Sequence, residues 1–359
     1  MITLSSIHDI QVIRYALGVT IAIAIASAMQ TPLSYLLPVL TALLLPRLLT
    51  RVGLKRDSSA GNPGLAYIRD SLFAFAVGYI FTSLLLPFPI LYIPLLGITL
   101  FQVYYYLNRG GSFWLVLSLI INLLVLPVLA QYYQGLAIGV AFELVVHSLL
   151  TLVVIVITNL LVPVPAALQQ VDDSPVTVFK PGYDPDAAKR ALISSMATLP
   201  VALLFVAEVW VSQLPVIIFV ATFTLVPAID RSRMAAIGSI SATILGGVVA
   251  YITYWLLVAV PQYYFAVLVM LFLSLINGRL IFSGHKLAPI LPSAMVGIII
   301  LINGSLSADS SFTDTFFKRL LLMSLAAVYV VIALRVVNAY WPRRPDAATA
   351  IEPANDPGR

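Results

Sequence analysis

Glu143 and His147 are the only charged or imidazole side chains between residues 112 and 162, in a stretch that is otherwise almost wholly apolar. A spacing of four places two side chains on one face of a helix, close enough to touch. A carboxylate beside an imidazole can pass a proton along, and histidine is the side chain whose ordinary titration falls in the physiological range. Ionisable groups are costly inside hydrocarbon and carry a functional reading by default. The bland alternative is a hydrogen-bonded pair that only fixes helix packing. Glu143 and His147 are therefore the proton-coupling candidates.

Four cations are candidates for holding an organic anion. Arg14 and Arg190 open the two halves of the chain at similar depth, and a planar guanidinium suits a carboxylate. Lys318 and Arg319 stand alone near the far side of the bilayer, and aligning Asn159 with Asn338 sets Arg319 opposite Val140, almost one turn from the level of Glu143. Against these readings stand orientation for the first pair and snorkelling into headgroups for the second. Asp230, Arg231 and Arg233 close the expected eighth span on the inside. They read either as an inner gate whose ion pair breaks between states or as a basic surface anchor with Asp230 as a helix cap.

No enzyme is expected, and no catalytic residue is assigned. The sequence has no His-Glu-x-x-His, no paired catalytic aspartates and no Gly-x-Ser-x-Gly elbow. His147 beside Glu143 is not a metal-ligand cluster, so neither metal nor cofactor is expected. There are no cysteines, which excludes disulfides and thiolate sites. No Gly-x-x-x-x-Gly-Lys-Ser/Thr phosphate loop occurs, so transport would draw on an ion gradient or a partner.

The elements that must position these residues are membrane helices. Hydrophobic residues make up 61% of the 359 residues and charged ones 10%, far below the roughly one quarter charged in soluble domains. Apolar segments fall at 11–29, 34–49, 70–87, 90–107, 112–130 and 136–162, then 189–207, 213–229, 234–257, 262–277, 287–303 and 317–340. Thr31-Pro32, Pro87-Phe-Pro89, Gln131 to Gly135 and Val260-Pro261 mark tight hairpins, and 50–69 reads as a loop. The fold class is an all-α polytopic membrane protein with about twelve transmembrane helices.

Those helices are written as two parallel six-helix repeats. Asn159-x-x-x-Pro163 is matched by Asn338-x-x-x-Pro342, Thr41 to Pro46 by Thr222 to Pro227, and Asn108-Arg109-Gly110 by Asn277-Gly278-Arg279, in the same order. The first repeat spans 10–163, a cytoplasmic linker 164–188, the second repeat 189–342, and a disordered cytoplasmic tail 343–359. Placing both termini in the cytoplasm puts every Lys and Arg inside or near an inner helix end except Lys318 and Arg319, a strong positive-inside bias. The net charge of +5 serves orientation, because no dense basic stripe suits nucleic acid.

Two parallel halves around one axis are a transporter architecture. Small residues such as Gly246, Gly247 and Gly297 read as close helix contacts, and most of the many tyrosines as an interfacial belt. A major-facilitator-like transporter or an anion channel fits the same span count. A non-catalytic membrane subunit of an efflux assembly is a further reading.

Ile13-Arg14-Tyr-Ala-Leu-Gly18, Ala188-Lys189-Arg190-Ala191-Leu192, Arg233-Met-Ala-Ala-Ile-Gly238 and Thr243-Ile-Leu-Gly246-Gly247 resemble motifs of the fusaric acid resistance and aromatic acid exporter superfamily. The resemblance covers about 10–163 and 187–342. Many members carry a large soluble domain between the halves, so the chain resembles a compact branch. What the resemblance implies is proton-linked efflux of small aromatic carboxylic acids from a bacterial inner membrane, often with a periplasmic adaptor (membrane fusion) protein. The expected partners are then the lipid bilayer, a small organic anion, that adaptor, and further copies of the chain in a homo-oligomer, but no nucleic acid.

Overall fold

A computed structural model describes residues 7–29, 31, 33–49, 54–55, 63–163, 170–171, 182–225, 229–285, 288, 290–307 and 312–340. The expected tail at 343–359 and most of the linker lie outside them. The described residues form twelve α-helices: α1 (Ile7–Met29), α2 (Leu36–Leu49), α3 (Pro63–Ile80), α4 (Pro89–Asn108), α5 (Phe113–Tyr132), α6 (Gln134–Leu161), α7 (Pro185–Glu208), α8 (Leu214–Phe223), α9 (Ile229–Ala259), α10 (Tyr263–Phe282), α11 (Leu291–Ser307) and α12 (Phe312–Tyr340). The end of α3 loosens into a π turn at Phe81–Leu85. The only strands among the described residues are β1 (Leu54–Lys55) and β2 (Gln170–Val171), a two-residue parallel ladder.

Among the described residues, nine of these helices are long and apolar enough to cross a membrane. The exceptions are α2, α8 and α11. Ten residues of α8 rise about 15 Å, half of a ~30 Å hydrocarbon core, so the expected span at 213–229 stops early.

Local chemistry sets many helix ends. The Asp184 carboxylate accepts from the backbone N–H of Asp186 (2.9 Å) and Ala187 (3.2 Å), and Pro185 follows at the first helical position, which starts α7. Ser112 accepts from the N–H of Leu115 to start α5, just after Gly110 turns the chain at φ 82°. Pro63 sits at the head of α3, so the helix begins seven residues before the expected 70. Helix α9 starts at Ile229, so the backbone of Asp230, Arg231 and Arg233 belongs to its first turns and does not end the eighth span. Their side chains, and the gate assigned to them, lie outside the described residues.

Helices of the first half of the chain take partners from the second. Helix α1 lies along α10, and α4 along α7; α3 packs on α5 as α9 packs on α11; α2 meets α6 and α11 as α8 meets α12 and α5. One core cluster joins α4 and α5 to α7, α8 and α12 through Leu100, Leu123, Ile217 and Ala326. A second joins α1 and α2 to α10 and α11 through Tyr15, Leu45, Met270 and Met295. The sequence halves are thus interleaved, and each of these two larger clusters draws on both.

Candidate functional site

Glu143 and His147 lie in the first half of α6, on a face turned into the protein. The His147 side chain is fully buried and that of Glu143 is 20% exposed, so the pair does not face lipid. Nδ1 of His147 is 2.7 Å from the Glu143 carbonyl oxygen and 3.3 Å from Oε2 of its carboxylate. A carbonyl oxygen only accepts, so Nδ1 carries the hydrogen and Nε2 is where a further proton would be added. Nε2 is buried with no hydrogen-bond partner in the protein. The Thr31 hydroxyl, in the connection between α1 and α2, donates to Oε2 of Glu143 at 3.0 Å.

Four residues after Thr31, Tyr35 leads into α2 and faces the second half of the chain. Arg319 on α12 is close enough for its charge to act on the Tyr35 hydroxyl. Its guanidinium carbon lies 6.0 Å from the centre of the Phe219 ring on α8, a cation–π arrangement. Nε of Arg319 is buried without a hydrogen-bond partner, and no ion pair to Arg319 occurs among the described residues. Its neighbour Lys318 is exposed. The two cations therefore part company: Arg319 turns inward and Lys318 outward.

The short helices place this site. Helix α8 stops where Thr224 is held by both α4 and α7. The buried Tyr104 hydroxyl is hydrogen-bonded to Thr198 (2.8 Å) and Thr224 (2.9 Å), and Ser194 donates to the Thr224 carbonyl at 2.6 Å. These bonds satisfy groups that a helix end leaves open. Tyr104 is thus a buried network residue, where a belt position was expected. Behind Glu143 and His147, Ser148 joins Ser71, Trp114, Ser118 and Asn122 around a cavity of ≈ 30 Å³, room for about two waters.

Arg14 and Arg190 occupy matched places at the other end of the molecule. Arg14 Nε donates to the Val162 carbonyl at 2.7 Å, closing the end of α6. Arg190 Nε donates to the Asn108 side chain at 3.1 Å, tying α7 to the end of α4. The structure joins Glu143 and His147 to Thr31 in the α1–α2 connection, sets Arg319 over Phe219, and holds Arg14 and Arg190 at the other end. Thr31, Tyr35 and Phe219 complete the site; no spacing in the sequence points to them, although short helices at matched positions do point to a binding site.

Gly246 fits its expected role: a Cβ there would meet the Ala294 carbonyl oxygen at 2.6 Å, so α9 and α11 touch backbone to backbone. Gly297 does not, since a Cβ would meet nothing within 4 Å.

The class these features define is a polytopic helical membrane protein with a polar site buried among its helices. Residues 11–158, from α1 into the last turn of α6, match the family described as "Protein of unknown function (DUF2955)". No curated protein and no solved structure matches the chain.

Proposed function

We propose that this chain is a secondary transporter of two parallel six-helix repeats, with both termini cytoplasmic, that exports small aromatic carboxylic acids as protons enter. The observation that carries the reading is Arg319, a guanidinium with a buried, unpartnered Nε, set over the Phe219 ring. A guanidinium takes a carboxylate in two parallel hydrogen bonds, and the aromatic neighbour suits a ring. Glu143 and His147 supply the acid–base pair. The short helices α2 and α8, second in each half, support a binding site between them.

The orientation has its own support. β1 between α2 and α3 pairs with β2 in the linker, and Arg109 after α4 donates to the Gly182 carbonyl before α7. These connections share one face, which carries the basic residues. On the other, Thr31 meets Glu143 near the start of α6, and the Tyr263 hydroxyl at the start of α10 donates to Ala24 near the end of α1 at 3.4 Å.

The test uses inside-out vesicles with an acidic lumen and a radiolabelled aromatic acid. A weak acid left to itself collects in the more alkaline compartment. Accumulation in the acidic lumen, abolished by a protonophore, is the expected result. Uptake that only follows passive distribution, or is indifferent to the pH gradient, would sink the proposal.

A further inference from the structure

A separate concavity lies away from this site. It is an open groove of ≈ 760 Å³ between α4 and α7, walled by apolar side chains such as Ile93, Phe101, Met196 and Leu199, with Gly97 at its floor. One end is polar: Lys189 and Tyr183 line it there. Inside a bilayer no water fills such a groove, so its occupant must be apolar along its length. The groove follows α4 from Ile93 to Phe101 and α7 from Ala188 to Leu199, about 12 to 16 Å of helix rise. That is one leaflet, since the hydrocarbon core is about 30 Å across.

We infer that the α4–α7 groove holds an acyl chain of an anionic phospholipid of the inner leaflet, with its headgroup at Lys189. The leaflet rests on the orientation given under Proposed function; the lipid class rests on the groove itself. An ammonium donates up to three hydrogen bonds and acts as a point charge toward phosphate. Among the described residues cations outnumber carboxylates at this end, Lys189, Arg109 and Arg190 against Asp184 and the exposed Asp186. Arg109 and Arg190 are anchored at the same end, and the Asp184 carboxylate is engaged at the start of α7. Tyr183 is 80% exposed beside Lys189, where an aromatic ring meets headgroups.

The experiment is native mass spectrometry of the full chain in detergent, offered equal amounts of dioleoyl phosphatidylglycerol and dioleoyl phosphatidylcholine. Phosphatidylglycerol should be retained at least fivefold over phosphatidylcholine. Lys189→Gln should bring the ratio to within twofold of one. Met196→Trp fills the groove from a side chain that is 51% exposed, so it leaves the core intact, and it should lower retention of both lipids at unchanged helicity. Equal retention by the unaltered chain, or a preference that survives both substitutions, overturns the inference. The readout involves no transport, so failure here leaves the export proposal standing, and the reverse holds as well.

Discussion

The guanidinium carbon of Arg319 lies 6.0 Å from the centre of the Phe219 ring, which binds the last helix of the chain to the short α8 through a charge and a π face. Without a carboxylate partner among the described residues, that charge is available to an incoming anion. Arg319→Gln should reduce aromatic acid export by about 10- to 100-fold, the worth of one hydrogen bond to a charged group. Arg319→Lys should recover part of it. Initial rates in the vesicle assay measure both, and wild-type rates in Arg319→Gln would remove it from the site.

Glu143→Gln keeps the shape of the carboxylate and a hydrogen-bond acceptor for Thr31 but loses the charge beside His147. Export against the pH gradient should fall at least tenfold, while downhill exchange of labelled for unlabelled acid is retained. Equal loss of both activities would mark the pair as structural only.

Tyr104→Phe removes the hydroxyl shared by Thr198 and Thr224, which still bond each other at 3.0 Å, so hydrogen bonds are lost but neither threonine is orphaned. The expected cost is about 0.5–1.5 kcal/mol, read as a lower thermal midpoint in detergent at unchanged helical content.

Gly246→Ala forces a methyl against the Ala294 carbonyl, whereas Gly297→Ala enters open space. The first should destabilise by about 1–3 kcal/mol and the second by far less. A reversed order would mean that α9 and α11 do not pack as described.

Because the chain has no cysteine, single cysteines report sidedness cleanly. Gln134→Cys, at the exposed start of α6, should react with an impermeant maleimide in intact cells. Tyr183→Cys should react only after permeabilisation. The opposite pattern would invert the orientation, and labelling of both from outside would break it.

Sequence pattern carries some of this arrangement and not the rest, for physical reasons. The hairpins at Pro87-Phe-Pro89 and Val260-Pro261 separate helices as expected, because proline lacks a backbone N–H and biases the residue before it toward extended backbone. The Glu143–His147 contact follows from helical spacing alone. The end of α8 does not, because residues 213–229 carry no charge to mark a boundary and Thr224 is held by Ser194 and Tyr104 from other helices. Arg319 and Lys318 are adjacent in sequence, and only packing against α8 decides which turns inward. Chain order likewise says nothing of neighbours, so the exchange of partners between halves is a tertiary fact.

That exchange bears on how the chain matures during synthesis. Tyr15 on α1 packs against Gly278 on α10, about 260 residues further along, and at roughly 5–20 residues per second that stretch takes about 10 to 50 s to make. Helix α1 therefore waits for that whole stretch to be made before it meets its mate, while α4 waits only until α7 emerges. Anything that shelters α1 in the interval acts on this protein earlier, and for longer, than on a bundle whose helices pack in the order they are made.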